Sequence, residues 1–170
     1  LYTHLNNKYG FKKRQEWFTG LRLFHYFVNF KLLEENKIDK NDFFSTVKEF
    51  ILKQNQADDV LITSDFPQKL PMNSQTRSQV QNSFIEEQWG DVVLIPKPYY
   101  MNSNSAVNVN HITGYSYDRT VPLVFYGKKF KKGTYYQKAF IVDIASTIAA
   151  TLGSLPGAKA DGRILHECLK

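Results

Sequence analysis

A single cysteine, Cys168, stands in a chain of 170 residues. That excludes a disulfide scaffold and any multi-cysteine zinc knuckle. No apolar run approaches the roughly 18 residues of a membrane span. There is no Gly-rich phosphate loop, no GxSxG elbow and no HExxH motif, and no two of the four histidines, His4, His25, His111 and His166, stand at H-x-x-x-H spacing. Internal repeats, low-complexity tracts and an RNP-type aromatic signature are absent as well. The chain opens on Leu1 with no initiator Met and no signal peptide. Leu1, Leu5 and Tyr9 already have helical spacing, so the first residue reads as the inside of an element. The expectation is a piece of a longer polypeptide whose targeting segment lies elsewhere.

What is present describes a folded domain. Apolar residues make up 42%, charged residues 22% and aromatic residues 15%, which excludes a disordered, collagen-like or coiled-coil chain. A compact chain of this length buries roughly 70% of its unfolded surface. The net charge of +6 suits nucleic acid, anionic lipid or phosphorylated ligands. The basic residues sit in short runs, Lys12-Lys13-Arg14 and Lys128, Lys129, Lys131 and Lys132 around Phe130. The second run lies between Gly127 and Gly133 and reads as a solvated turn. Direct nucleic-acid binding is therefore not expected.

Periodicity places the elements. Residues 1–9 predict a short helix closed by Gly10. Residues 16–28 suggest two strands around Gly20 to Leu23, and Phe30 to Asn36 a short helix. Asp39 is a good N-cap for a helix over 40–54, where Phe43, Val47, Phe50 and Ile51 form one apolar stripe. Val60 to Thr63 and Asp91 to Ile95 read as strands, the latter stopped by Pro96 and Pro98. Between them come a loop over 67–74 and a helix from Gln75 to Glu86. Met101 to Asn110 is a polar surface loop. Further strands are expected at Val121–Tyr126 and Phe140–Val142, in a different sheet from the first. A helix is expected from Asp143, its N-cap, to Leu152, with Ile144, Ile148 and Leu152 on one face.

A lone histidine is ordinarily structural or exposed, and His4, His25 and His166 read that way. His111 follows the polar loop and leads into an apolar segment, where a scaffold places a ligand, and neutral imidazole is a common zinc ligand. Asp118 is either a partner orienting His111 or a turn residue. Tyr115 and Tyr117 read as packing residues, and Cys168 as inert.

The stretch His111-x-x-Gly114-Tyr115-x-Tyr117-Asp118-x-x-Val121-Pro122-Leu123-Val124-Phe125-Tyr126-Gly127 resembles a segment of the alkaline phosphatase superfamily. The branch it is most similar to is the phosphodiesterase/nucleotide-pyrophosphatase-like one that includes bacterial phosphate-irrepressible alkaline phosphatases. Val142-Asp143-Ile144-Ala145-Ser146-Thr147 resembles that branch's V-D-I-A-P-T helix start. Asp161-Gly162-Arg163-Ile164-Leu165 resembles its D-G-R-V-L close, and Gly90-Asp91-Val92-Val93-Leu94 its G-D-V strand. Ser146 stands where the family has proline, Trp89 where it has serine, and Ile112-Thr113-Gly114 where it has Gly-Ser-Pro or Gly-Ser-Ala.

The resemblance covers 88–167 and is vaguer over 1–87. It implies an α/β fold, the C-terminal part of an alkaline-phosphatase-like architecture. A small α+β lobe over 1–98 would be followed, over 99–170, by the last strands and helix of the main sheet. It implies a two-zinc phosphate-ester hydrolase with His111 as one metal ligand. The nucleophile motif and the other ligands belong to the part before Leu1, so the isolated chain is expected to be inactive and to hold no zinc tightly. The implied substrate is a phosphate ester, most simply a monoester, and the implied location is periplasmic or secreted. A phosphodiesterase or nucleotide pyrophosphatase of the same superfamily, and a non-catalytic basic binding module, are the alternatives.

Overall fold

The protein is described by a computed structural model covering residues 1–66, 79–80, 82–85, 87–100, 111 and 113–170. Helix α1 (Tyr2–Lys8) buries Leu5 and is followed by Gly10 in the left-handed region, at φ +76°, the conformation glycine adopts without cost. Strands β1 (Phe18–Arg22) and β2 (His25–Val28) form an antiparallel hairpin in which Arg22 faces His25. Asn29 caps helix α2 (Phe30–Glu35) by accepting the Leu32 N–H. Asp39 caps helix α3 (Lys40–Lys53) by accepting the Asp42 N–H at 2.9 Å, which satisfies one of the unpaired donors of the first turn. The apolar stripe of α3 buries Phe43, Val47 and Ile51.

Strand β3 (Ala57–Ile62) pairs antiparallel with β4 (Val92–Pro96), and β4 also pairs with β2, giving a four-stranded sheet in the order β1-β2-β4-β3. Both faces are covered. Val60, Ile62 and Val92 pack with Trp17, Phe18, Leu33 and the α3 stripe, while Leu61, Val93 and Ile95 pack with Phe66, Val80, Phe84 and Trp89. This division explains why β3 and β4 read as continuous apolar runs: alternate side chains enter different cores. Asp91, just before β4, accepts the Val28 N–H at 2.7 Å. Gly90 lies so close to β2 that a Cβ there would come 2.8 Å from the Tyr26 carbonyl oxygen. The Gly-Asp pair is thus explained by close backbone approach and by the capping of an open strand donor.

The chain divides into two compact units, Leu1–Thr120 and Val121–Lys170. The first holds helices α1 to α3 and the antiparallel sheet. In the second, the strands expected at Val121–Tyr126 and Phe140–Val142 are not formed; among the described residues its ladder pairing is one antiparallel bridge, Phe130 with Leu169. β-propensity marks a segment fit for a pleated surface, and a strand needs a neighbouring backbone to complete it. Helix α5 (Asp143–Thr151), which follows α4 (Ser116–Arg119), is where it was expected, with Gly153 just beyond it at φ +71°. Its apolar residues Ile148 and Leu152 are 42% and 76% exposed, while the buried positions are Asp143, Ser146 and Thr147. The 67–74 loop, the 101–110 loop and half of the 75–86 helix lie outside the described residues.

Candidate functional site: the His111 loop

His111 is exposed, and the residues after it build a tight turn onto the end of β4. Asp118 lies in a single-turn helix, α4 (Ser116–Arg119). Its carboxylate accepts both the N–H of Thr113, at 3.1 Å, and the Thr113 hydroxyl. That is the turn role anticipated for an aspartate here. Arg119 donates from Nη1 to the Gly114 carbonyl at 3.3 Å. Tyr115 reaches across to donate its hydroxyl to the Pro96 carbonyl at 2.9 Å. The Tyr99 N–H donates to the Tyr117 hydroxyl at 2.8 Å. The three rings stack nearly parallel, Tyr115 on Tyr117 at 5.7 Å and Tyr117 on Tyr99 at 4.7 Å. Burial, then the negative charge of Asp58, pushes the Tyr115 phenol up, so it remains a hydrogen-bond donor at neutral pH. The motif tyrosines therefore clamp the segment that follows His111 to the exit of β4.

The other histidines are dispersed. His4 stacks on Phe50 at 4.8 Å. His25 lies edge-on to Trp89 at 4.7 Å, and its Nδ1 accepts the Gly90 N–H at 3.4 Å. Burial, with the charge of Arg22, holds the His25 imidazole below its ordinary range. His166 begins a 3₁₀ turn, His166–Cys168. Cys168 is buried and its thiol donates to the Leu165 carbonyl at 3.1 Å. Among the described residues, no three His, Cys, Asp or Glu side chains gather as a metal site.

The two other motifs meet in the second unit. Asp143 was expected to be an N-cap; it is instead the first residue of α5, behind Val142. Its carboxylate turns back to accept the Phe140 N–H at 2.8 Å and the Arg163 N–H at 2.9 Å. Thr147 accepts the Leu165 N–H at 3.0 Å and donates to the Asp143 carbonyl at 2.7 Å. A Cβ on Gly162 would overlap the Val142 carbonyl and approach the Asp143 nitrogen to 2.7 Å. Sequence reasoning listed the two motifs separately and missed that each is the other's packing partner; the glycine flanked by Asp161 and Arg163 was the available signal of a close approach.

No protein-family model matches the sequence. The four-stranded sheet, its helices and the second unit together are the fold of part of an alkaline phosphatase. The chain is similar to the crystal structure of wild-type alkaline phosphatase PafA, with a TM-score of 0.81 and 24% identity, over 99% of this chain and 32% of that one. A PafA variant carrying four substitutions gives a TM-score of 0.79 with the same identity and coverage. In sequence the chain is 27% identical over 125 residues to alkaline phosphatase PafA of Elizabethkingia meningoseptica, which is 72% of this chain and 22% of that protein. The chain thus spans between about a fifth and a third of the length of the phosphatases it matches, and a phosphatase-superfamily relationship is supported. No helix among the described residues is long and apolar enough to cross a membrane.

Proposed function

We propose that this chain is the C-terminal part of a zinc-dependent phosphate-ester hydrolase of the phosphomonoesterase kind, with a lobe over 1–98 and a core segment over 99–170. The observation that carries the reading is His111: an exposed imidazole at the start of a turn that Tyr115, Tyr117 and Asp118 pin to the end of β4. A solvent-accessible imidazole at the head of this turn fits the role of one metal ligand. A catalytic zinc takes about three protein ligands, so the remaining ligands and the nucleophile would come from outside this chain. Zinc, when bound, polarises the phosphoryl oxygens and activates the attacking group. The residues present here supply the position of one imidazole and exclude slack from its loop. The apolar side of the second unit supports the same reading. Val121, Val124, Ile141, Leu152 and Leu155 are all more than half exposed, as expected of an element that completes its core against more polypeptide. Export to the periplasm or beyond the cell is part of the proposal and rests on the resemblance.

The test uses the complete polypeptide. It should hydrolyse a phosphate monoester in preference to a diester, and His111→Ala should lower both bound zinc and turnover by orders of magnitude. The 170-residue chain alone should show no turnover. Unchanged metal content and rate in His111→Ala would remove the ligand assignment, and a clear diester preference would move the reading to the phosphodiesterase alternative.

A further inference from the structure

The charge of this protein is concentrated in one place. Leu1–Thr120 carries fourteen basic and thirteen acidic residues, whereas Val121–Lys170 carries eight basic and three acidic, so the second unit holds +5 of the net +6. Two of those three acidic groups are already engaged. Asp143 is buried and accepts two backbone N–H groups. Glu167 forms a two-pronged pair with Arg163, at 2.8 and 3.1 Å. Asp161 is the remaining one, set against seven lysines.

Four of these lysines, Lys128, Lys129, Lys131 and Lys132, lie on one short turn, and all are exposed. The turn has a fixed shape. Phe130 at its centre stacks on Phe125 at 4.9 Å and forms the bridge to Leu169. The Lys131 N–H donates to the Cys168 carbonyl at 2.9 Å, and the Lys170 N–H to the Lys129 carbonyl at 3.0 Å. The phenyl ring packs within its own unit, and the four lysines on either side of it are exposed. Two tyrosines flank the turn with their rings in solvent, Tyr126 fully exposed and Tyr136 93% exposed.

We infer that this lysine turn, with Tyr126 and Tyr136, is a docking surface for an anionic phospholipid bilayer. Lysine clusters are drawn to the negative surface of such a membrane, and tyrosine rings are favoured at the headgroup level, where one end is apolar and the other wet. Lysine stems lie along the interface while their ammonium heads stay hydrated. Four adjacent ammonium groups are too costly to bury in a protein core, so the turn stays at a polar surface in any larger assembly. Single-stranded nucleic acid would use similar elements, with arginine adding bidentate phosphate contacts and stacking that lysine lacks. The unit's one arginine, Arg163, is spent on Glu167.

The experiment is cosedimentation of the complete polypeptide with vesicles of phosphatidylcholine containing about a third phosphatidylglycerol, at ~0.1 M and ~0.5 M salt. Binding should require phosphatidylglycerol and weaken sharply at the higher salt. Each lysine contributes about a fivefold factor, so replacing Lys128, Lys129, Lys131 and Lys132 together by Gln should lower partitioning more than about a hundredfold. Lys12→Gln with Lys13→Gln, in the first unit, should leave it unchanged. These exposed substitutions should not alter the far-UV circular dichroism. Equal binding to pure phosphatidylcholine, equal loss in the Lys12/Lys13 variant, or binding to a single-stranded oligonucleotide without vesicle binding would each overturn the inference. None of these outcomes depends on metal or turnover, so the hydrolase proposal stands or falls separately.

Discussion

Substituting Gly162 by Ala tests the junction that joins two of the recognisable motifs. The added methyl would overlap the Val142 carbonyl and sit 2.7 Å from the Asp143 nitrogen. Both are backbone atoms at the start of α5, so no side-chain rotation relieves the clash. The 161–165 segment must move away. That motion breaks the Arg163 N–H bond to Asp143 and the Leu165 N–H bond to Thr147. Each buried donor left without a partner costs about 1–3 kcal/mol, so the loss should be about 2–5 kcal/mol for the second unit. Gly157 is the control, because nothing lies within 4 Å of a Cβ there; Gly157→Ala should change stability by less than about 0.5 kcal/mol. The assay is amide hydrogen exchange read at Arg163 and Leu165, together with urea unfolding. The two Ala variants should differ in exchange at those two amides by about two orders of magnitude or more. In an Asp143→Ala background the cost of Gly162→Ala should shrink, because one of the bonds it breaks is already gone. Wild-type protection at both amides in Gly162→Ala would refute the close approach and with it the coupling of the motifs.

Two further outcomes concern the first unit. Trp17 is fully buried, its Nε1 donates to Asn6 at 2.8 Å, and its ring meets Tyr9, Phe11 and Phe43; Trp17→Ala should cost about 3–5 kcal/mol in urea unfolding, and a loss below about 1 kcal/mol would show that the ring is not the centre of the core. His25 is held neutral by burial and by Arg22, so its folded pKa lies below its unfolded value. The unfolded chain then binds the extra proton, and stability present above the ordinary histidine range is lost as pH falls through about 6.5 toward the lowered folded value. Thermal midpoints should drop more between pH ~7 and pH ~5 in the wild type than in His25→Gln; identical slopes would remove His25 as the cause.

Where the sequence was legible, the physics was local. Asp39 and the stripe of Phe43, Val47 and Ile51 announced α3 because a cap and a 3.6-residue period are properties of one segment. Strands β3 and β4 were legible as apolar runs bounded by Pro96 and by the Ser64-Asp65 turn. What failed depended on partners distant in the chain. Val121–Tyr126 and Phe140–Val142 have strand composition, yet a strand requires a neighbour in ladder register, and among the described residues neither segment is in a strand. Ile148 and Leu152 share one face of α5 as read from the sequence, but the buried positions of that helix are Asp143, Ser146 and Thr147; Asp143 and Thr147 accept backbone N–H groups of the returning 161–165 segment, a long-range role no local pattern announces. His111 was singled out by its setting between a polar loop and an apolar run. The clamp that holds its loop was not foreseen as such, because Tyr115 and Pro96 are 19 residues apart.

The motif residues differ in what they say about chemistry. Gly90, Asp91, Asp118, Asp143 and Gly162 are each accounted for by a close approach or a hydrogen bond that the fold requires. Tyr115 and Tyr117 are accounted for by a loop clamp. A sequence under selection for this fold alone would keep all seven, so their presence argues for the architecture and is neutral about catalysis. His111 differs in kind: its ring is exposed, and the turn after it is held by other side chains. An exposed residue contributes little to core packing, so the case for this histidine is its fit to a metal-ligand role. The functional reading therefore rests on one residue rather than on the number of matched motifs. His111→Asn in the complete polypeptide separates the two kinds of evidence: the fold should survive with unchanged melting of the metal-free protein, while zinc content and phosphate release collapse. Retained activity with retained fold would leave an alkaline-phosphatase scaffold whose metal site, if it has one, is built without this histidine.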